Sequence, residues 1–168
     1  SRPKAAVYVL RRRYENRCAV SGLNCGLKNA PFFDALYRKG VSKIIKRSKK
    51  YLFTLEASEY EVINNIRNYI LTHSNPEDIL IAPVGLGNHI DHRIVNLAVK
   101  DIDRKVYFYE EFFYDRNKND SPLTSSYHYI FLSHQEVEKK LQVMLNYKKT
   151  LRKLFGKAWK EKTSNYFK

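Results

Sequence analysis

His89 and His92, with Asp91 between them, form a group of side chains whose types and spacing could do chemistry. Two histidines three positions apart lie on the same face of a helix, so both rings can reach one ligand. Imidazole is the commonest metal ligand in proteins, and it also transfers protons near neutral pH. One ring can therefore bind a metal while the other, with a carboxylate to orient it, acts as an acid or a base.

Spacing alone leaves two interpretations of this H-x-D-H pattern open. The chain has 5 histidines among 168 residues, and polar residues are common at helix starts, so the cluster can also be an ordinary helix beginning. Its context favours a functional role. Residues 78–82 predict a strand buried on both faces, and Pro83 and a glycine-bearing loop at 84–88 follow it. Apolar residues 94, 95, 98 and 99 then predict a helix.

Other segments supply the elements that must position this cluster. Apolar spacing predicts a helix over residues 5–21, and strands are expected at 105–109 and 127–132. The pattern S-x-x-E occurs twice, at Ser58 and at Ser133, and predicts a capped helix start at each. The second of these helices is expected to continue as far as Leu151. Alternating strands and helices predict an α/β sheet, whose ligands bind beyond the carboxyl ends of the strands.

Composition limits the class of protein. A chain of 168 residues that is 43% hydrophobic can form one domain with a core. No apolar run reaches the roughly 18 residues that a membrane-spanning helix needs.

Cys18 and Cys25 are expected to be two buried thiols, although a disulfide between them stays possible. The net charge of +14 indicates either an anionic partner or a lysine-rich solvated surface. Residues 38–50, which contain cations and no acid, are expected to form an exposed loop.

Residues 79–95 read ILIAPVGLGNHIDHRIV. This stretch resembles the second signature of the PIG-L/LmbE-like de-N-acetylases, an apolar strand, a proline, a glycine loop and H-P-D-H, with Ile90 in place of the usual proline. Two further stretches are similar to that family in order and spacing. Arg12-Arg13-Tyr14-Glu15 is similar to its R-x-x-E helix, and residues 106–111 are similar to its later Y-E-D strand end.

The resemblance implies a Rossmann-like α/β fold, a mostly parallel sheet with helices on both faces, and zinc-dependent removal of an N-acyl group from an amino sugar. By that resemblance His92 is a zinc ligand, His89 is the general acid or steadies the oxyanion, and Asp91 orients His89. The resemblance also implies three residues of the sugar pocket: Arg13, Asn88 and Glu110.

The family's first signature, H-P-D-D-E, is not found in this chain. In the family it follows the first strand and supplies two zinc ligands and the catalytic base. A catalytic zinc needs about three protein ligands, and this chain offers His92 as one. We expect that the N-terminal strand and loop precede this chain, because the chain opens inside the family pattern. The alternatives are that they lie on another chain or that the activity has been lost.

We therefore expect residues 1–168 to be the larger, C-terminal part of one deacetylase domain, ending in a basic helical segment at 139–168. The expected substrate is an amino sugar, with or without a lipid or diphosphate attached. The expected location is the cytoplasm or the periphery of a membrane. Two other functions stay open, a non-catalytic relative that binds glycans and a nucleic-acid-binding module. The dispersion of the cations over several segments argues against the second.

Overall fold

The computed structural model describes residues 2–38, 55, 57–111 and 130–161. The chain divides into two compact units, Ser1–Asn29 with Tyr127–Lys168, and residues 30–126. Their helices and strands are, in chain order, α1 (Arg2–Val20), α2 (Glu59–His73), β1 (Leu80–Pro83), α3 (Ile90–Lys100), β2 (Val106–Tyr109), α4 (His134–Leu145) and α5 (Lys148–Phe155). Short 3-10 turns lie at Ala35–Tyr37, Leu86–Asn88 and Gly156–Ala158. The chain is thus a mixed α/β protein.

The unit of residues 30–126 is built around a βαβ arrangement. Strands β1 and β2 pair in parallel, with Leu80 opposite Val106 and Pro83 opposite Tyr109, and α3 connects them. The pairing continues past β1, where the Val84 amide donates to the Tyr109 carbonyl at 2.9 Å. The strands predicted at 78–82 and 105–109, and the helix after the glycine loop, are therefore confirmed.

The core of this unit lies between α2 and α3. Ile90, Ile94 and Ala98 of α3 are buried and pack with Ile63 of α2 and with Ala35. Their spacing along α3 places them on one face of the helix. Full burial of an isoleucine side chain stabilises a fold by about 1.5–3 kcal/mol, so Ile90 and Ile94 anchor the same helix whose first turn carries the two histidines.

The two faces of the small sheet are covered to different extents. Ala82 of β1 is buried, whereas Ile81 is 71% exposed and its neighbour across the sheet, Tyr107, is 45% exposed. Tyr109, on the same face as Tyr107, is 50% exposed. Pro83, on the same face as Ile81, is buried, so the prediction that β1 is buried on both faces is confirmed at Pro83 and wrong at Ile81.

The other unit is helical in its described part. Helix α1 confirms the helix predicted over residues 5–21. Ser133 caps α4 as predicted: its hydroxyl accepts the Glu136 amide, and the Glu136 carboxylate accepts the Ser133 amide at 2.7 Å. The helix predicted to run unbroken to Leu151 is instead interrupted after α4. There the Asn146 side chain donates to the carbonyls of the preceding turn, and the Asn146 and Tyr147 amides bond three residues back, which tightens the last turn.

The S-x-x-E pattern at Ser58 behaves differently. Ser58 has helical backbone angles, φ −63° and ψ −17°, and its side chain makes no capping hydrogen bond. The capping box predicted there is wrong, although a helix does begin at Glu59. A capping serine needs extended backbone to place its hydroxyl over the first turn, and Ser58 does not have it.

Three further expectations concern the remaining segments. Residues 130–132 belong to no strand, and the rest of the strand predicted at 127–132 lies outside the described residues. Both cysteines are unpaired, with Cys18 half-buried and Cys25 exposed, so the expected burial is wrong for Cys25. Within the described ranges, no helix has the length and apolarity required to cross a membrane.

Candidate functional site

The two histidines lie where the sequence predicted, at the carboxyl ends of two parallel strands. Strand β1 leads through the 3-10 turn Leu86–Asn88 to His89, which is the N-cap residue of α3. Strand β2 ends at Tyr109, and the next residues, Glu110 and Glu111, reach the same edge of the sheet. Ligands of parallel sheets bind at this edge, so its side chains are the candidates for function.

Glu111 is the carboxylate around which this edge is built. Its side chain is buried, and its two oxygens accept the amide hydrogens of Gly85 at 2.7 Å and of Leu86 at 3.2 Å. Gly85 has a φ of +90°, a conformation that residues with a side chain rarely adopt. The glycine therefore permits the turn that directs two consecutive amides at one carboxylate.

His92 contacts the same carboxylate. Its Nδ1 lies 3.0 Å from Glu111 Oε1, and the His92 side chain is 29% exposed. Burial lowers the pKa of His92 and the neighbouring His89 lowers it further, while Glu111 and Asp91 act in the opposite direction. A neutral His92 whose hydrogen is on Nδ1, facing Glu111, carries on Nε2 the lone pair that can bind a metal.

His89 stands beside His92 at the start of the helix. The two ring centroids are 5.1 Å apart, with the rings tilted by 43°. His89 Nδ1 accepts the amide hydrogen of Asp91 at 3.3 Å, which completes the cap of α3. Because Nδ1 is the acceptor, the neutral ring carries its hydrogen on Nε2 and presents a donor there.

Asp91 anchors the first turn of α3 to the segment before α2. Its carboxylate accepts the Ala35 amide at 3.2 Å and forms an ion pair with Arg38. A carboxylate in the first turn of a helix is also favoured by the helix dipole. The role implied by the resemblance, orienting His89, stays a prediction, and these contacts show how the carboxylate itself is held.

Arg38 is a residue that the sequence interpretation placed wrongly. It was expected in an exposed cationic loop, but its side chain is buried and lies against Glu59, with Nε 3.0 Å from Oε2. Residues 39–50 of that loop lie outside the described residues. Sequence alone groups Arg38 with the cations that follow it, because it does not indicate that the Glu59 and Asp91 carboxylates contact its guanidinium.

The three residues implied for the sugar pocket have different surroundings. Asn88 ends the 3-10 turn immediately before His89. Glu110 is exposed, and its neighbour Glu111, which the sequence interpretation did not select, is the carboxylate at His92. Arg13 lies on an exposed part of α1, in the other unit. Their roles in substrate binding stay predictions.

In the R-x-x-E pattern that contains Arg13, the first residue, Arg12, and the last, Glu15, have structural roles. Glu15 is buried and accepts the Lys149 amide and the Thr150 hydroxyl, each at 3.2 Å. Arg12 donates to the same Thr150 oxygen at 2.7 Å. The first and last residues of the pattern therefore attach α1 to the beginning of α5.

The fit of a metal to this site can be tested on His92. Metal-binding histidines commonly donate the other ring hydrogen to a carboxylate, which fixes the tautomer and the orientation of the ring. The Glu111 carboxylate lies 3.0 Å from His92 Nδ1, at the distance that such a contact needs, so His92 fits the role of one ligand. No group of three metal-binding side chains occurs among residues 2–38, 55, 57–111 and 130–161.

The sequence matches no family model, and comparisons with curated proteins and with solved structures found no match. The interpretation of this site therefore rests on its geometry and on the resemblance carried by residues 79–95. That geometry contains a buried carboxylate, two neighbouring imidazoles and a helix N-terminus at one edge of a parallel sheet.

Proposed function

We propose that this chain carries the histidine half of the active site of a zinc-dependent hydrolase that removes an N-acetyl or other N-acyl group from an amino sugar. The observation that carries the proposal is the contact of His92 Nδ1 with the buried Glu111 carboxylate, 3.0 Å away, beside His89. We further propose that the βαβ unit is part of a Rossmann-like sheet, as the resemblance of residues 79–95 implies.

In this proposal His92 binds the metal through Nε2, and Glu111 keeps the ring in the required tautomer. When bound, zinc supplies the Lewis acidity that polarises the amide carbonyl and lowers the pKa of water. The described residues supply one ligand of the approximately three that a catalytic zinc site has. The proposal therefore requires the other ligands to lie outside the described residues.

His89 has a separate task in the proposed reaction. Its Nε2 hydrogen, fixed by the acceptance of the Asp91 amide at Nδ1, can bond to the oxygen on which negative charge develops as the amide carbonyl is attacked. To act as general acid, the ring must first take up a second proton at Nδ1 in place of the Asp91 amide contact; transfer of its Nε2 proton to the departing amine then returns it to the neutral form. Both tasks need the ring close to the metal ligand, and the centroid distance of 5.1 Å to His92 meets that need.

The proposed substrate is an amino sugar that bears an N-acyl group, with or without a lipid or diphosphate. An anionic carrier fits the net charge of +14, since a large positive charge attracts anionic substrates. We propose the cytoplasm or a membrane surface facing it as the location.

The proposal is tested by the release of acetate from a panel of N-acetylglucosamine conjugates, with the protein at its natural length. We expect zinc-dependent release that His92→Ala abolishes and that Glu111→Gln lowers by about 10- to 100-fold. His134→Ala is the matched control, because His134 is 88% exposed and pairs with Glu138 on the surface of α4. Stoichiometric zinc without acetate release from any conjugate would overturn the proposal.

The second candidate is a non-catalytic relative that binds glycans without a metal. The observation that favours it is that the family's first signature, H-P-D-D-E, is not found in this chain. Elemental analysis of the purified natural protein separates the two, since the deacetylase contains about one zinc per chain and the metal-free relative contains none.

A further inference from the structure

Arg38 lies between two carboxylates that belong to different helices. Its Nε contacts Glu59, the first residue of α2, at 3.0 Å, and its Nη1 contacts Asp91, in the first turn of α3. The same Nη1 donates to the Phe33 carbonyl at 3.2 Å. The planar guanidinium thus connects the beginnings of α2 and α3 to the segment before them, a geometry that the point charge of a lysine does not reproduce.

Burial makes this connection specific. Glu59 is 2% exposed and Arg38 is 8% exposed, and a charge held so far from water requires a partner in a defined position. Hydrophobic contacts between Ile63, Ile90 and Ile94 already pack the two helices against each other. Such contacts are not directional, so they leave the rotation of the first turn of α3 less well defined than an ion pair does.

The rotation of that turn decides where the two imidazoles lie. Asp91 is between His89 and His92, and its amide donates to His89 Nδ1. A change in the position of Asp91 therefore moves the cap residue directly and moves His92 through the helix backbone. Glu111, which follows β2, holds the first turn of α3 through His92. Arg38 holds the same turn through Asp91.

We propose that Arg38 is a positioning residue of the site, which acts through Asp91 to set the orientation of His89 and His92. The importance of this role for catalysis rests on the proposed function, but the structural role does not. Arg38 itself contacts Phe33, Glu59 and Asp91, so it acts through the carboxylate of Asp91 and not on the substrate.

The chain contains a matched control for this proposal. Arg67 of α2 makes comparable contacts at the other end of α3, where it donates to the carbonyls of Leu97 and Ala98 and pairs with Asp101 at 2.6 Å. Removal of either arginine weakens the attachment of α2 to α3. Of the two substitutions, only that of Arg38 should change the orientation of the imidazoles in the first turn of α3.

The experiment records the side-chain ¹H–¹⁵N spectrum of the histidines in wild type and in each variant at the same alkaline pH. We expect Arg38→Met and Arg38→Lys to displace the signals of His89 and His92 and to leave that of His73 in place. Arg67→Met should leave the signals of His89 and His92 in place. Circular dichroism verifies that each variant is folded, and Arg38→Lys decides the outcome if Arg38→Met does not fold.

A double-variant cycle with Asp91→Asn tests whether the effect passes through Asp91. If it does, Arg38→Lys adds no displacement in the Asp91→Asn background. Unmoved histidine signals in folded Arg38→Lys, or an equal displacement with and without Asp91→Asn, would overturn the proposal.

Activity measurements on the natural-length protein then test whether the orientation of His89 and His92 affects catalysis. We expect Arg38→Lys to lower kcat by about 10- to 100-fold and to leave KM unchanged, because Arg38 is buried and in this proposal acts through Asp91. Failure of the proposed function appears as absence of acetate release in every variant, including wild type. Failure of the Arg38 inference appears in the spectra, which need no substrate.

Discussion

His92 Nδ1 lies 3.0 Å from Glu111 Oε1, and the same Glu111 carboxylate accepts the amides of Gly85 and Leu86. One buried carboxylate therefore fixes a histidine ring and the turn that precedes the helix of that histidine. The arrangement connects the ends of β1 and β2 with the beginning of α3. The orientation of the ring is consequently part of the fold and does not depend on a bound ligand.

Replacement of Glu111 by glutamine should destabilise the protein. The amide keeps the volume of the side chain but offers one acceptor oxygen where three donors converge, so a buried donor loses its partner at a cost of about 1–3 kcal/mol. Urea unfolding followed by circular dichroism measures the change. Glu110→Gln is the control, since Glu110 is exposed and such substitutions usually stay within about 0.5 kcal/mol. Equal effects of the two substitutions would contradict the central role of Glu111.

Stability should decrease when the pH falls through the range in which His92 titrates. Burial holds the pKa of His92 below its ordinary value in the folded protein, so the unfolded chain binds a proton first as the pH decreases. Where the unfolded state binds more protons, stability falls with falling pH. We expect the contribution of His92 to be complete above pH ~6.5 and to be lost towards the lower pKa of the folded state.

The measurement is the difference in unfolding free energy between wild type and His92→Gln at several pH values. Glutamine does not titrate, so the difference between the two proteins should change across this range and become constant below it. His134→Gln provides the comparison for an exposed histidine. A difference that is independent of pH would show that burial does not disfavour the charged form of His92.

Gly85→Ala should cost about 1 kcal/mol or more, because Gly85 has a φ of +90° and residues with a side chain are strained there. The space around it is not the obstacle, since the nearest atom to an added Cβ is Arg93 Cγ at 3.5 Å. Gly26→Ala is a suitable control, because nothing lies within 4 Å of an added Cβ there. Thermal unfolding of both variants tests the difference, and similar melting temperatures would contradict it.

Glu15→Ala should destabilise α5 by about 0.5–2 kcal/mol, since the Glu15 carboxylate accepts the Lys149 amide at the start of that helix. Hydrogen exchange at the amides of α5 measures this local loss. Arg13→Ala, on an exposed part of the same helix α1, should leave the exchange unchanged. If Arg13 binds substrate as predicted, its substitution raises KM in the natural-length protein and has no effect on stability.

The elements around the site were predictable because their sequences follow simple periods. The apolar run before Pro83 predicts β1, and the helical spacing of residues 94, 95, 98 and 99 predicts α3, each close to where the structure has it. His89 and His92 were predictable for the same reason, since they occupy the first turn of a helix that follows a strand. Local sequence was sufficient because each of these elements is defined by short-range hydrogen bonds and one apolar face.

Long-range contacts account for what was not predictable. The two S-x-x-E patterns look alike in sequence, yet Ser133 caps its helix and Ser58 does not. The difference lies in the backbone of Ser58, beside Glu59, whose buried carboxylate pairs with Arg38. Likewise, the order of Glu110 and Glu111 does not indicate which of them turns inwards. That choice depends on the amides of Gly85 and Leu86, which a distant part of the chain supplies.

The side chain of Ile81 on β1 is 71% exposed, which has a practical consequence for handling the protein. Exposed apolar strand surface favours association between molecules, while the mutual repulsion of chains with a net charge of +14 opposes it. Any added salt screens that repulsion. A sulfate salt also strengthens the attraction between apolar surfaces. A low concentration of ammonium sulfate should therefore precipitate this chain, and the Ile81→Lys variant should require a higher concentration of the salt.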